Sequence, residues 1–258
     1  MRLALISDIH GNLPALEAVL HDIAGARVDA TINLGDILSG PLWPVETAER
    51  LMALGLPTIR GNHERQVLRP LDGMGASDRY AAERIGPAHR DWLASLPATL
   101  RWADDDLLCC HGTPISDLQY FLETVTSDYG THGSRGVRAA LHAEVGERSG
   151  GVAAAVIACG HTHQPRTMQL DDGRLVVNPG SVGLPAYDDS HPHFHVAETG
   201  TPHARYAVIE KAPQGWSVQL RAVAYDWEAA ARQAEANGRG DWADALRTGR
   251  VGRTERER

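Results

Sequence analysis

Short apolar runs that stop abruptly at polar or glycine-rich turns punctuate the chain. LALIS (3–7) meets DIHGN, ATINL (30–34) meets GDILSGP, and PTI (57–59) meets RGNHE. Further on, DLLCC (106–110) meets HGTP, and AAAVIAC (153–159) meets GHTH. Apolar runs bounded in this way predict buried strands. Between the first of them, LPALEAVLHDIAG (13–25) and VETAERLMALG (45–55) carry apolar residues at helical spacing; Leu13, Leu16, Val19, Leu20 and Ile23 share one face. Strand and helix in alternation argue for βαβ units and a mostly parallel sheet.

The second half reads differently. TMQL (167–170), RLVVNPG (174–180), ARYAVIE (204–210) and WSVQLRAVAY (216–225) look like successive strands joined by turns such as DDG. They predict a second, largely antiparallel sheet packed on the first. Residues 112–150 fall between two core strands and hold QYFLETV and GVRAALHAEVG, expected as two helices around SDYGTHGSRG, forming a cap. The tail, 226–258, reads as helix through WEAAARQAEANG and again through DWADALRTG; its last residues, VGRTERER, lack an apolar anchor and are expected to fray. With no internal repeat and no long linker, one two-sheet α/β domain over 1–225 is predicted, with the tail packed on it.

Charge narrows the function. A net charge of −8 disfavours non-specific binding to nucleic acid or anionic lipid, though not a polyanionic substrate whose charge a metal offsets. No apolar run is long enough to span a bilayer. MRLALISDIHGN has neither the apolar core nor the cleavage site of a signal peptide, and three cysteines do not make a disulfide framework. The expected setting is cytoplasmic, with reduced thiols. Cys109, Cys110 and Cys159 are read as buried small hydrophobes rather than redox sensors.

Histidine is abundant, with 13 copies, and its placement is informative. Ligands of open α/β sheets bind beyond the carboxyl ends of the strands. Past the successive apolar runs stand Asp8 and His10, Asp36, Asn62 and His63, His111, and finally His161 and His163. Singly, each is as well explained as a turn residue or a core histidine. Jointly they are metal-ligand and acid–base types at one structural location. Carboxylate and imidazole together suit Mn, Fe, Zn, Ni or Co, not Ca. The i, i+2 spacing of Asp8/His10 and His161/His163 lets two side chains on a turn reach two different ions. Gly160 is expected to let the backbone turn close to the site.

These residues resemble the signature of the calcineurin-like metallophosphoesterases: D-x-H at 8–10, G-D at 35–36, G-N-H-[DE] at 61–64, His111, and G-H-x-H at 160–163. NPGSVG (178–183) is similar to a segment of the small bacterial and archaeal phosphodiesterase-like branch. The resemblance implies a four-layer α/β/β/α sandwich of two mixed sheets flanked by helices. It implies two divalent transition-metal ions, Mn first among them. Asp8, His10 and His163 would hold one; Asn62, His111 and His161 would hold the other; Asp36 would bridge. His63 would face the substrate as general acid or hydrogen-bond donor, and a hydroxide bridging the metals would attack in line. The substrate would be a small phosphate ester, a phosphodiester first. The alternatives are a nucleotide or phosphomonoester phosphatase and a dinucleoside polyphosphate hydrolase. A non-catalytic protein-binding scaffold is a remote further reading, disfavoured by the complete ligand set.

Other residues are weaker candidates. Asn12, Arg60 and Arg65 are candidate substrate contacts, with surface ion pairing an equal reading for the arginines. Trp43, in the loop after Gly35-Asp36, is a candidate pocket aromatic. Tyr120, Phe121 and Tyr129 are candidates for stacking on a base, or for packing the cap. His191, His193 and His195 alternate and are expected to share one face of an extended segment, a solvated loop or an oligomer contact rather than a third metal site.

Overall fold

A computed structural model describes residues 1–104 and 106–252; the frayed end expected at 251–258 lies, from 253 onward, outside them. The chain opens with β1 (Arg2–Ile6), α1 (Leu13–Gly25), β2 (Ala30–Asn33) and α2 (Pro44–Leu54). Three short helices follow: α3 (Asn62–Val67), α4 (Ala76–Ala82) and α5 (Pro87–Ser95). Then come β3 (Leu100–Trp102), β4 (Leu107–Cys109), β5 (Glu123–Val125), β6 (Val137–Ala139), α6 (His142–Arg148) and β7 (Val156–Ala158). The remainder is β8 (Arg166–Gln169), β9 (Leu175–Asn178), β10 (Ala186–Asp189), β11 (His195–Glu198), β12 (Ala204–Ala212), β13 (Gly215–Val223), α7 (Trp227–Ala236) and α8 (Gly240–Thr248).

Two mixed sheets form the centre. One runs β13-β12-β1-β2, the other β3-β4-β7-β9-β8. Side chains alternate across a strand, and β1 shows the result. Leu3 and Leu5 point between the sheets, into a cluster with Ile32, Leu107, Val156 and Val177. Ala4 and Ile6 point outward to Leu16, Val19 and Ile23 of α1 and Leu51 of α2. The outer face of the second sheet is covered by Phe121, Leu122 and Val145 of α6. Helices, two sheets and a further cover make the four-layer mixed α/β architecture. Each fully buried Leu or Ile contributes about 1.5–3 kcal/mol. Among the described residues no helix is long and apolar enough to cross a membrane.

Four expectations need correction. The strands of the second half do not form a sheet of their own. β12 runs antiparallel beside β1 in the first sheet, while β8 and β9 complete the second. Hydrophobic periodicity says which face of a strand is buried, not which strand is its neighbour. Residues 57–59 form only an isolated parallel bridge, Asn33 to Thr58; Pro57 has no N–H for a ladder.

Residues 119–125 are not a helix, and the helix in 136–146 begins only at His142. The β-branched Thr124 and Val125 pair with Arg138 and Val137 in a hairpin. Gly136 at φ 68° and the extended Leu141 keep the helix from starting earlier. The segment is therefore a hairpin plus one helix, packed on the outer face of the second sheet. Finally, His191, His193 and His195 share no face. A turn separates β10 from β11; His191 is exposed there, whereas His195 opens β11 fully buried.

The described part of the tail forms two helices. Ala230, Ala231 and Ala234 of α7 and Ala243 and Leu246 of α8 pack on Leu42, Leu184 and Ala186. All three cysteines are free and buried, and burial pushes the Cys109 thiol up to about 12. They are inert packing groups.

Candidate metal centre

Asp8, His10, Asp36, His161 and His163 all sit at left-handed φ, between 53° and 68°. For a residue other than glycine this costs about 1–3 kcal/mol each and persists only where the surroundings enforce it. The strand-end turns enforce one another here. Asp8 N–H donates to Gly35 O (2.9 Å), His10 N–H to Asp36 O (3.1 Å), and Gly160 N–H to His111 O (2.7 Å). His63 N–H donates to Asp36 Oδ1 (3.0 Å). Glu64 is a buried hub: its carboxylate accepts from the backbone N–H of Asp36 (2.9 Å), Ile37 (2.8 Å) and Gly61 (2.7 Å). Burial first, then the nearby Asp36 carboxylate, push its pKa up against those three donors.

The approach is close enough to require glycine. A Cβ on Gly61 would collide with the Asp36 carboxylate and press on the His111 ring. One on Gly160 would collide with Ser7 and crowd Asp8, as expected for a glycine that lets the backbone turn here.

Six side chains converge as two triads. The ligand-type atoms of Asp8, His10 and His163 lie within 4.8 Å of one another, as do those of Asp36, His111 and His161. Each histidine has one ring nitrogen on a backbone carbonyl. His10 Nδ1 is 2.7 Å from Ser39 O, His111 Nδ1 2.8 Å from Leu34 O, His163 Nδ1 2.8 Å from Leu184 O, and His161 Nε2 3.1 Å from Leu118 O. A carbonyl oxygen only accepts, so each of those nitrogens carries hydrogen. In a neutral ring the other nitrogen is then a lone-pair donor.

Two details fit cations. His10 Nε2 and His163 Nε2 face each other at 3.1 Å, lone pair to lone pair. Asn62 Oδ1, beside the second triad, is buried with no hydrogen-bond donor among the described residues. Electrostatics agree. Burial, then His163 and His63, push His10 down to about 3; burial, then His111, push His161 down to about 4. Both rings are thereby kept neutral. His111 takes the other course: burial disfavours its charge, but Asp36 at 2.9 Å and Asp8 outweigh it and hold the ring up to about 10. Carboxylates and imidazoles of this kind suit Mn, Fe, Co, Ni or Zn.

His63 belongs to neither triad. Its Nδ1 lies 2.7 Å from Asp78 Oδ1 and its Nε2 4.0 Å from Asp36 Oδ2, with 27 % of the side chain exposed. Burial lowers its pKa, but Asp36, the Asp78 hydrogen bond and Glu64 prevail and raise it to about 9. The ring borders a cavity of about 710 Å³ that also reaches His10, Asp36, Asn62, His161 and His163.

Of the weaker candidates, only Tyr120 and His191 line this cavity. Asn12 caps α1 through Oδ1 and donates to Gly183 O and Tyr225. Arg60 is exposed away from the cavity, and Arg65 is held in a bidentate pair with Asp117. Trp43 packs against the tail helices instead of the cavity. The indole that reaches the site is Trp242 of α8, whose ring meets His10 edge-on at 6.0 Å. Phe121 is core, Tyr129 meets Phe194 edge-on, and only Tyr120 of the three lines the cavity. Asp78, Tyr187 and Trp242 escaped the sequence reading, since none lies in a recognisable motif.

The calcineurin-like phosphoesterase superfamily domain matches residues 1–201. An uncharacterized protein of Methanocaldococcus jannaschii is 24% identical over 265 residues, covering 93% of this chain and 94% of its own. In fold, the chain is similar to a metallophosphoesterase from Sphaerobacter thermophilus, with a TM-score of 0.69, 24% identity, and 96% and 99% of the two chains covered. It is likewise similar to a hypothetical protein from Pyrococcus horikoshii, with a TM-score of 0.71, 20% identity, and 97% and 99% covered.

Proposed function

The chain belongs to the calcineurin-like phosphoesterase superfamily, as a metal-dependent phosphoric ester hydrolase, and on that premise we propose that it is a dinuclear phosphodiesterase. The observation that carries the reading is the pair of triads, each histidine fixed by a backbone carbonyl with its other nitrogen turned inward. Asp8, His10 and His163 would hold one divalent cation; Asn62, His111 and His161 would hold the other, with Asp36 between them. Mn is the first expectation. Such a pair supplies Lewis acidity toward the phosphoryl oxygens and a nucleophile at neutral pH.

The chain's own residues do the rest. His63, oriented by Asp78 at Nδ1, carries a proton at Nε2 that passes to the leaving ester oxygen. The phosphoryl group would sit at the His10–Asp36–His63 end of the cavity. The alcohol part would lie along Leu118, Tyr120, Tyr187 and Trp242.

A second reading, a nucleotide or phosphomonoester phosphatase, draws on those aromatic walls, which suit a base. A dinucleoside polyphosphate is less well served, because Asp188, Asp189 and Asp241 also line the cavity. Turnover of Mn-loaded protein on an aryl phosphodiester and on the matching monoester tests the proposal. Faster diester cleavage supports it; faster monoester cleavage favours the second reading; no cleavage of either favours a scaffold.

A further inference from the structure

The turn that carries His161 and His163, both left-handed, has a tyrosine against each of its imidazoles. Tyr120 meets His161 edge-on with ring centroids 5.1 Å apart at 76°. Tyr187 meets His163 at 4.7 Å and 64°. The tyrosines come from separate elements, Tyr120 from the loop before β5 and Tyr187 from β10. Their hydroxyls nevertheless lie 2.7 Å apart. Tyr120 Oη is also 2.8 Å from Nε2 of His195, the fully buried first residue of β11.

The direction of this chain follows from its far end. His195 Nδ1 lies 2.8 Å from the carbonyl oxygen of His193, which only accepts. Nδ1 therefore carries hydrogen, and the neutral ring presents its Nε2 lone pair to Tyr120. Tyr120 O–H donates to that lone pair, so its oxygen accepts from Tyr187 O–H. Both phenols are pinned at their tips, and each pinned ring bounds the space open to one histidine. The triads are made of carboxylates and imidazoles, and His195 does not line the cavity.

We propose that Tyr120, Tyr187 and His195 are positioning residues that hold His161 and His163 in ligand-ready orientation, one at each cation site. The inference rests on the two-cation reading above. It also gives a role to the hairpin of β10 and β11, which fastens the ligand turn from outside.

The test is Mn²⁺ titration of metal-stripped protein by calorimetry, with the electron paramagnetic resonance spectrum of the loaded form. The proteins compared are wild type, Tyr120→Phe, His195→Leu and His195→Gln. Tyr120→Phe keeps the ring and its packing but deletes the link between Tyr187 and His195. It should weaken Mn²⁺ binding about 10- to 100-fold, the usual effect of removing a group that orients a ligand. The spin-coupled spectrum of paired ions should give way to that of isolated ones. His195→Leu should do the same, while His195→Gln, whose side-chain oxygen can accept from Tyr120, should bind nearly as wild type. Thermal unfolding checks that each variant is folded; if His195→Leu is not, Tyr120→Phe decides. Wild-type affinity in folded Tyr120→Phe would overturn the inference, as would His195→Gln binding as poorly as His195→Leu. Failure of wild type to bind Mn²⁺ would instead overturn the two-cation reading.

Discussion

Asp78 Oδ1 lies 2.7 Å from His63 Nδ1, so a carboxylate from α4 sets the orientation of the imidazole that faces the cavity. The bond fixes hydrogen on Nδ1 and aims Nε2 toward Asp36 and the reacting end. His63→Ala should lower kcat roughly 10²–10⁴-fold while both metals stay bound, since the ring is outside both triads. Asp78→Ala should lower kcat by less, with metal content again unchanged by elemental analysis. Metal lost from His63→Ala would show that the ring is a ligand after all.

Asp36 is shared. Its Oδ2 is 2.9 Å from His111 Nε2, and its Oδ1 accepts from His63 N–H. Asp36→Asn should therefore weaken both cation sites together. A calorimetric titration in which one site keeps wild-type affinity would contradict a bridging carboxylate.

Gly61→Ala should damage the centre without replacing a ligand. Its Cβ would collide with the Asp36 carboxylate, and accommodating such overpacking costs about 1–3 kcal/mol. The expected result is a lowered Tm together with weakened metal binding. A folded variant with wild-type affinity would show that the turn relaxes freely.

Glu144 offers a pH-dependent test away from the centre. Its carboxylate is paired with Arg138 and accepts from Leu141 N–H at the start of α6, which holds its pKa down to about 2 from 4.5. A lowered folded-state pKa stabilises above the unfolded value and loses that stabilisation as pH falls through the folded one. The Tm difference between wild type and Glu144→Gln should thus be full above about pH 5. It should close as pH approaches about 2. A gap independent of pH would mean that the charge is irrelevant.

Much of the centre was legible because each candidate ligand follows an apolar run, so strand end and chemistry read together. Asp8, Asp36, His111 and the paired histidines needed no knowledge of which strands are neighbours. Sheet membership did need it. Arg2 faces Glu210 across the β1–β12 ladder, 208 residues away, and nothing local announces that pairing. Asp78 was invisible for the same reason: it meets His63 only because α3 and α4 pack together. Trp242 reaches His10 from the far end of the chain, displacing Trp43 from the role its position suggested. In 119–125 the apolar residues fit a helix as well as a strand, and pairing with 137–139 decided between them.

The triads also join parts of the molecule that share no ladder. Asp8 follows a strand of the first sheet and His161 a strand of the second, 153 residues apart in sequence, yet the His161 N–H donates to the Asp8 carboxylate. Cations held there would act as a reversible cross-link, closing long loops and restricting the unfolded chain as a disulfide does. With all three thiols free, the protein would have its cross-link at the same point as its chemistry, and removing metal would slacken the seam between the sheets at the moment it silenced the enzyme.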